Sequence, residues 1–525
     1  MFVHHTTLIM QKDNENNPMC KPVTLDGTNL DVDMLYKIAQ GCRIEIDAAA
    51  LSRMAASNSL ILDAARTGKP VYGVTTGLGP QVTTVLSEEM INKFALKTIR
   101  GRAHAVGEPM AKNLVRAAMT VRLNSLLTGS SGASPDVAVH LCQCLNAGLV
   151  PRVGMTASVG AADLLWGGTM GLALIGEGQF LDSGQSSDVV MQEHGIASLK
   201  PGPRDGLALA SHSSFSTAIA AMGKLKTETL LRNTQLAVAL TLEGFRGNLS
   251  PLNPDILDTR HQPGQAESAS DLRRLLDGSA LNTEGSARRL QDPLSIRNAV
   301  QINGAVFASL EGINYTLLAE INGASDNPVV LTDKNQILSG GGYLNPYLAV
   351  QLVGLNHALL QMAAASVARS SRLMSTRFTD LPIGLNAGEI GSVGLGAVSK
   401  VMEALFAEIA QLATPPVIYP PTQADSVEDC ITNMAVSAKA LHQIIEKFNL
   451  IVAFEMIAAV HAIYLRDVQE IIAPALKPVV EAIRGLSPSL TDDRSITAEL
   501  EKLAIQLSAD EFSSVRVDGK SDTQA

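Results

Sequence analysis

The chain has 525 residues, 46% hydrophobic and 18% charged, and its 51 acidic against 41 basic side chains leave a formal charge of −10. That length exceeds one small core, and the composition excludes a disordered chain. With no broad basic face, neither nucleic acid nor an anionic membrane is an expected partner.

Five scattered cysteines, Cys20, Cys42, Cys142, Cys144 and Cys430, make no disulfide framework and are expected as buried thiols in a reducing compartment. Cys142 and Cys144 have no second pair and no nearby histidine, so zinc is not expected. Residues 1–17 lack the apolar core of a signal peptide. The most apolar stretch, 351–369, is broken by Asn356, His357 and Gln361. A soluble cytoplasmic protein is the expectation.

In chain order, residues 1–24 read as a flexible N-terminus. Residues 25–215 read as a smaller helical domain broken by loops, with Gly73, Gly77, Gly79 and Pro80 punctuating one segment and Gly154 to Gly171 another. Long helices are predicted over 214–245, 299–321, 347–373, 396–414 and 434–474. In 396–414, Val398, Val401, Leu405, Ile409 and Leu412 recur at steps of three and four, and Thr414-Pro415-Pro416 ends the run. Residues 262–293 read as a long surface loop and 511–525 as a frayed tail. With only 4% aromatic residues, the fold class expected is all-α, a long-helix bundle over 216–510 beside the smaller N-terminal domain.

Three loops stand out chemically. In Tyr72-Gly73-Val74-Thr75-Thr76-Gly77-Leu78-Gly79, the glycines let the backbone approach a ligand closely, and a tyrosine at such a loop edge can act as an acid or base. A plain surface turn would carry the same glycines. Gln291 to Arg297 ends on an arginine whose planar fork suits a carboxylate, or an ordinary surface ion pair. Glu320 to Pro328 reads as a helix end and a turn.

Together these segments resemble the histidine and aromatic amino acid ammonia-lyase family over about residues 25–510. Tyr72 to Gly79 resembles its Tyr-Gly-Val-Asn-Thr-Gly-Phe-Gly with two changes, and Gln291 to Arg297 its Gln-Asp-x-Tyr-Ser-x-Arg with one. Glu320 to Pro328 matches its Glu-x-Asn-x-x-x-Asp-Asn-Pro, and Ser339 to Tyr343 resembles its Ser-Gly-Gly-Asn-Phe. Pro421 to Asp429 resembles its Pro-Thr-Ser-x-x-Gln-Glu-Asp with one residue inserted, and Arg260 to Gln265 resembles another of its loops. The resemblance implies the fumarase/aspartase-like helical bundle and a homotetramer with active sites shared between chains.

That family's electrophile, MIO, forms from an internal Ala-Ser-Gly by dehydration of the serine and cyclisation at the glycine. The corresponding stretch is Ala157-Ser158-Val159-Gly160-Ala161-Ala162-Asp163-Leu164, in which Ala162 stands at the serine and the glycine is missing. No MIO cofactor is expected, because alanine has no hydroxyl to lose. Nearby positions depart as well. Leu294 replaces a tyrosine, Ser211-His212 stands for Asn-Gly, and Gly101-Arg102 for Ser-His.

MIO works by adding to a substrate amine, and a quaternary trimethylammonium has no lone pair for that addition and already leaves well. The pattern is similar to the family's MIO-free ergothionase branch, which converts ergothioneine to thiourocanate and trimethylamine. On that reading Tyr72 is the base and Arg297 clamps the substrate carboxylate. Lys400 and Glu428 polarise the imidazole-thione ring, and Arg102, Ser211, His212, Asn327 and Tyr343 line the pocket, with Trp166 a further aromatic close by in sequence. His212 is also a candidate proton relay. An MIO-type ammonia-lyase or aminomutase, a non-catalytic homologue and a betaine-binding protein remain the alternatives.

Overall fold

The computed structural model describes residues 20–389 and 391–516. The expected flexible N-terminus therefore lies outside the described residues up to residue 19, as does the tail from 517. The fold is all-α. Among the described residues the strands form three two-stranded pairs: Val23–Leu25 with Ile44–Ile46 in parallel, and Val106–Pro109 with Gly154–Thr156 and Val329–Leu331 with Gln336–Leu338 antiparallel.

The chain divides into two compact units. One comprises residues up to Met222 with Tyr315–Ala349 and Pro416–Ala438, and the other comprises Gly223–Asn314, Val350–Pro415 and residues from Lys439 onward. Three stretches inside the expected 216–510 bundle, residues 216–222, Tyr315–Ala349 and Pro416–Ala438, thus belong to the first unit.

In the first unit, local chemistry sets the helix ends. Asp47 caps Ala48–Thr67 by accepting from the Ala50 N–H, and Gly68 closes it in a left-handed conformation. Deeper in, two arginines converge on one carboxylate. Arg122 donates to both oxygens of Asp326 at 3.0 and 2.9 Å, Arg204 adds a bond of 3.0 Å, and all three side chains are sealed from solvent. Burial alone would raise the Asp326 carboxyl, but the two guanidinium groups outweigh it and hold the group below its ordinary range.

The second unit is built on long helices. Met434–Leu465, most of which lies in this unit, is long and apolar enough to cross a membrane, yet 83% of its most apolar window is buried in the protein. Midway along it, Glu455 is paired with Arg369 at 2.5 and 2.9 Å and accepts from Thr241 and Ser366. A helix whose interior charge is saturated this way is a core helix.

The predicted helices 214–245, 299–321 and 347–373 are observed as Ser214–Phe245, Ala299–Ile321 and Pro346–Leu373. Four local expectations are corrected. The predicted loop 262–293 contains the helix Gln265–Leu275, whose Ser268, Ala269, Leu272 and Leu275 are buried. The 434–474 helix ends at Leu465. In Ser399–Leu412 the buried positions are Met402 and Ile409, while Val401 is 49% exposed, so the apolar stripe is rotated from the one read in sequence. Cys20 and Cys42 are joined in a disulfide rather than standing as thiols, while Cys144 is buried and Cys430 exposed. At the start of the expected tail, Phe512 is buried.

Replacing Asp326 by Ala leaves two buried guanidinium groups without their ion-pair partner. The expected loss is about 3–5 kcal/mol, seen as a lower urea midpoint at unchanged slope.

Candidate active site

The loop after Ala48–Thr67 is held from beneath. Val71 and Val74 pack with Ile61, Ala64 and Val330. The Thr75 hydroxyl donates to the Lys69 carbonyl at 2.6 Å and accepts the Val71 N–H at 2.8 Å. Thr75, which stands at the family's asparagine, is thereby a buried clasp for the loop. Gly73 has φ +67°, and a Cβ there would sit 2.5 Å from a Leu207 methyl, so the turn needs glycine. The loop then folds back so that the Gly79 N–H donates to the Tyr72 phenolic oxygen at 3.0 Å. An amide is thus aimed at the atom that carries negative charge once the tyrosine proton leaves.

The second element is Ala157–Leu164. Asp163 is buried, and its carboxylate accepts from the Ser158 hydroxyl at 2.8 Å, the Ser216 hydroxyl at 2.7 Å and the Ser216 N–H at 2.8 Å. Burial pushes this carboxyl above its ordinary range, and the Ser216 and Ser158 bonds oppose that rise. The Ala162 N–H donates to the Tyr343 carbonyl, and the Asp163 N–H to the His212 carbonyl. Thr432 donates to the Gly160 carbonyl at 3.0 Å. Tyr343, His212 and the segment leading back to Glu428 are therefore tied to one stretch of backbone.

These residues do not fit an MIO group. Ala162 is held at φ +61° with no hydroxyl to lose. Ser158 has one O–H to donate, and it is aimed at Asp163.

The third element is Gln423–Glu428. Ala424, Asp425 and Ser426 all take left-handed φ values of 49°, 55° and 64°, at a cost of about 1–2 kcal/mol each. The Glu428 N–H meets the Gln423 carbonyl at 3.3 Å, and Ala424 packs on Gly79.

Four of the predicted side chains feel one another's charge. Burial lowers the Arg102 guanidinium, while negative charge at Tyr72 and Glu428 holds it up. The Tyr343 hydroxyl is pushed up first by burial, then by Tyr72 and Glu428. Asn327 accepts the Gly340 N–H at 3.0 Å, and its amide donors have no partner among the described residues.

Ser211 and His212 are buried. The His212 Nδ1 accepts the Ser214 N–H at 3.2 Å and the Nε2 lies 3.1 Å from the Leu209 carbonyl, which fixes the tautomer and occupies both nitrogens. Trp166 is a core residue, fully buried against Phe215 with its indole N–H on the Gly154 carbonyl.

Arg297 and Lys400 stand in the second unit. Arg297 is half-buried at the end of Leu294–Arg297 and bonds the Gln291 side chain, while Leu294 is exposed. Lys400 is exposed in the first turn of its helix, with no carboxylate partner among the described residues. No group of three or more His, Cys, Asp or Glu side chains among the described residues has a metal-holding arrangement. Reading the sequence missed Ser216 and the clasp role of Thr75. Ser216 carries no motif, whereas Thr75 was marked by its departure from the family's asparagine.

The aromatic amino acid lyase model matches residues 30–485. The chain belongs to that family. It is 32% identical over 475 residues to the histidine ammonia-lyase of Geobacillus thermodenitrificans, covering 88% of this chain and 94% of that protein. Among solved structures it matches the ergothioneine-degrading ergothionase of Treponema denticola with a TM-score of 0.90 at 27% identity, over 94% of this chain and 99% of that one. Histidine ammonia-lyase from Trypanosoma cruzi matches with a TM-score of 0.85, also at 27% identity, over 94% and 95% of the two chains. The protein is accordingly a carbon-nitrogen lyase of the aromatic amino acid lyase family.

Burial lowers the His212 pKa to about 3, with a further push from Arg122. The folded state therefore binds fewer protons there than the unfolded state, and this ring's contribution is lost as pH falls from 6.5 toward 3. His212→Gln should flatten the fall in urea midpoint between neutral pH and the acid end of that window, and an unchanged slope would contradict the assignment.

Proposed function

We propose that this protein eliminates trimethylamine from ergothioneine to give thiourocanate, without an MIO electrophile. One observation carries the reading. Ala162 occupies the electrophile position and the neighbouring Ser158 hydroxyl is engaged by Asp163, while Tyr72 keeps its loop and its amide donor.

In this mechanism the Tyr72 phenolate removes a proton from the carbon next to the imidazole-thione ring. The C–H electron pair becomes the new C=C bond. The C–N bond breaks, and trimethylamine leaves with that bond's electrons as a neutral amine. Charge passing through the ring is stabilised by Glu428 and Lys400. Arg297 holds the carboxylate as a bidentate pair. The faces of Tyr72 and Tyr343 offer the quaternary ammonium a host that needs no hydrogen bond from it. Arg102, Ser211, His212 and Asn327 complete the lining, with His212 as a neutral, fixed ring. The working form is a homotetramer whose active sites draw on several chains.

A second reading, ammonia loss from histidine, is favoured by the histidine ammonia-lyase relatives. Incubation with ergothioneine and with L-histidine separates the two. Thiourocanate and trimethylamine from the first, with no urocanate from the second, is the outcome expected. Urocanate from histidine would show that an electrophile forms despite Ala162.

Tyr72→Phe should lower turnover by about 10²–10⁴-fold while leaving ergothioneine binding intact in calorimetry. Wild-type turnover in that variant would remove Tyr72 from the role of base.

A further inference from the structure

Positive charge gathers around one ring in the second unit. The guanidinium carbons of Arg372, Arg289 and Arg377 stand 5.0, 5.2 and 5.8 Å from the Phe378 ring centroid. Beside that ring, three successive carbonyl oxygens each accept from a different arginine. Arg289 reaches the Arg377 carbonyl at 2.9 Å, Arg288 the Phe378 carbonyl at 3.0 Å, and Arg466 the Thr379 carbonyl at 2.6 Å. Ring and carbonyls thus fix the five groups in place, although neither supplies a full negative charge.

Carboxylates answer this cluster only in part. Asp380 pairs with Arg288. Asp292 is buried and spends one oxygen on the Asn248 N–H at 2.7 Å. Among the described residues, no carboxylate lies within ion-pair distance of Arg289, Arg372, Arg377 or Arg466. The Arg289 Nε is buried without a partner. Five guanidinium groups therefore face two carboxylates, in a chain whose formal charge is −10. Like charges held this close repel one another. Guanidinium forks match the paired oxygens of phosphoryl groups, which relieve that repulsion and satisfy the open N–H donors together.

We propose that the arginine cluster at Phe378 is a binding site for a diphosphate group. The group can belong to free pyrophosphate or to a nucleoside diphosphate, since both present the same oxygens.

Calorimetric titration of the full-length protein with inorganic pyrophosphate, at ionic strength held constant with chloride, tests the site. Saturable binding is expected, about tenfold or more weaker for inorganic phosphate and for the Arg372→Gln, Arg377→Gln double variant. A parallel titration with adenosine diphosphate identifies the source: tighter binding than pyrophosphate assigns a nucleotide, and equal binding assigns the free anion. If the double variant does not fold, Arg377→Gln alone, on an exposed side chain, gives the same reading in smaller measure. No saturable heat with the wild-type protein at millimolar pyrophosphate overturns the proposal, as does undiminished binding in a folded variant.

Discussion

A carboxylate sealed from water must be surrounded by donors, and Asp163 is the place where this requirement organises the loops of the first unit. Its oxygens collect Ser158 and Ser216, while its own N–H reaches the His212 carbonyl. These bonds settle the path of the backbone through Ala162. The same path presents the Ala162 N–H to Tyr343 and the Gly160 carbonyl to Thr432. One buried carboxylate thus helps to set where the loops bearing Tyr343 and Thr432 can stand.

Ser158 makes the chemical consequence concrete. A serine is present close to the position where the family makes its electrophile, but its hydroxyl is engaged as a hydrogen-bond donor to Asp163. Loss of the Ala-Ser-Gly element and capture of the neighbouring hydroxyl point the same way. What remains around the segment is a tyrosine with an amide on its oxygen, and a set of charges at Arg102 and Glu428 that feel it. Elimination of a group that already leaves well asks for little more than a base, a clamp and a polarised ring.

Arginine serves three purposes here, distinguished by its surroundings. At Asp326, two buried guanidinium groups and one buried carboxylate tie distant stretches of the first unit together, an arrangement that is costly to break because neither ion can reach water. At Arg102, partial burial and the nearby negative charge of Tyr72 and Glu428 oppose each other. At Phe378, the arginines outnumber the acids, and the excess of unpartnered donors is what a bound anion would satisfy.

The long helices were legible because a repeat of three and four residues is a local property, and so was the end of Ser399–Leu412, where Pro415 and Pro416 interrupt the ladder. The loops bearing Tyr72, Arg297, Tyr343 and Glu428 were legible because each is a short contiguous motif. Which face of Ser399–Leu412 is buried was not, since Val401 and Met402 are equally apolar and only the packing partner selects between them. The helix Gln265–Leu275 was hidden by its polar composition, and the Cys20–Cys42 bond by the assumption that a sparse, odd set of thiols stays unpaired. Nor could spacing reveal that Ser158 and Ser216 share one carboxylate, or that Arg102 feels Tyr72 and Glu428. Sequence by itself determined most of the long helices, the motif loops and the presence of Ala162 where the family has its serine. Tertiary structure alone decided burial, hydrogen-bond partners and mutual electrostatics, because those depend on side chains tens to hundreds of residues apart in the chain.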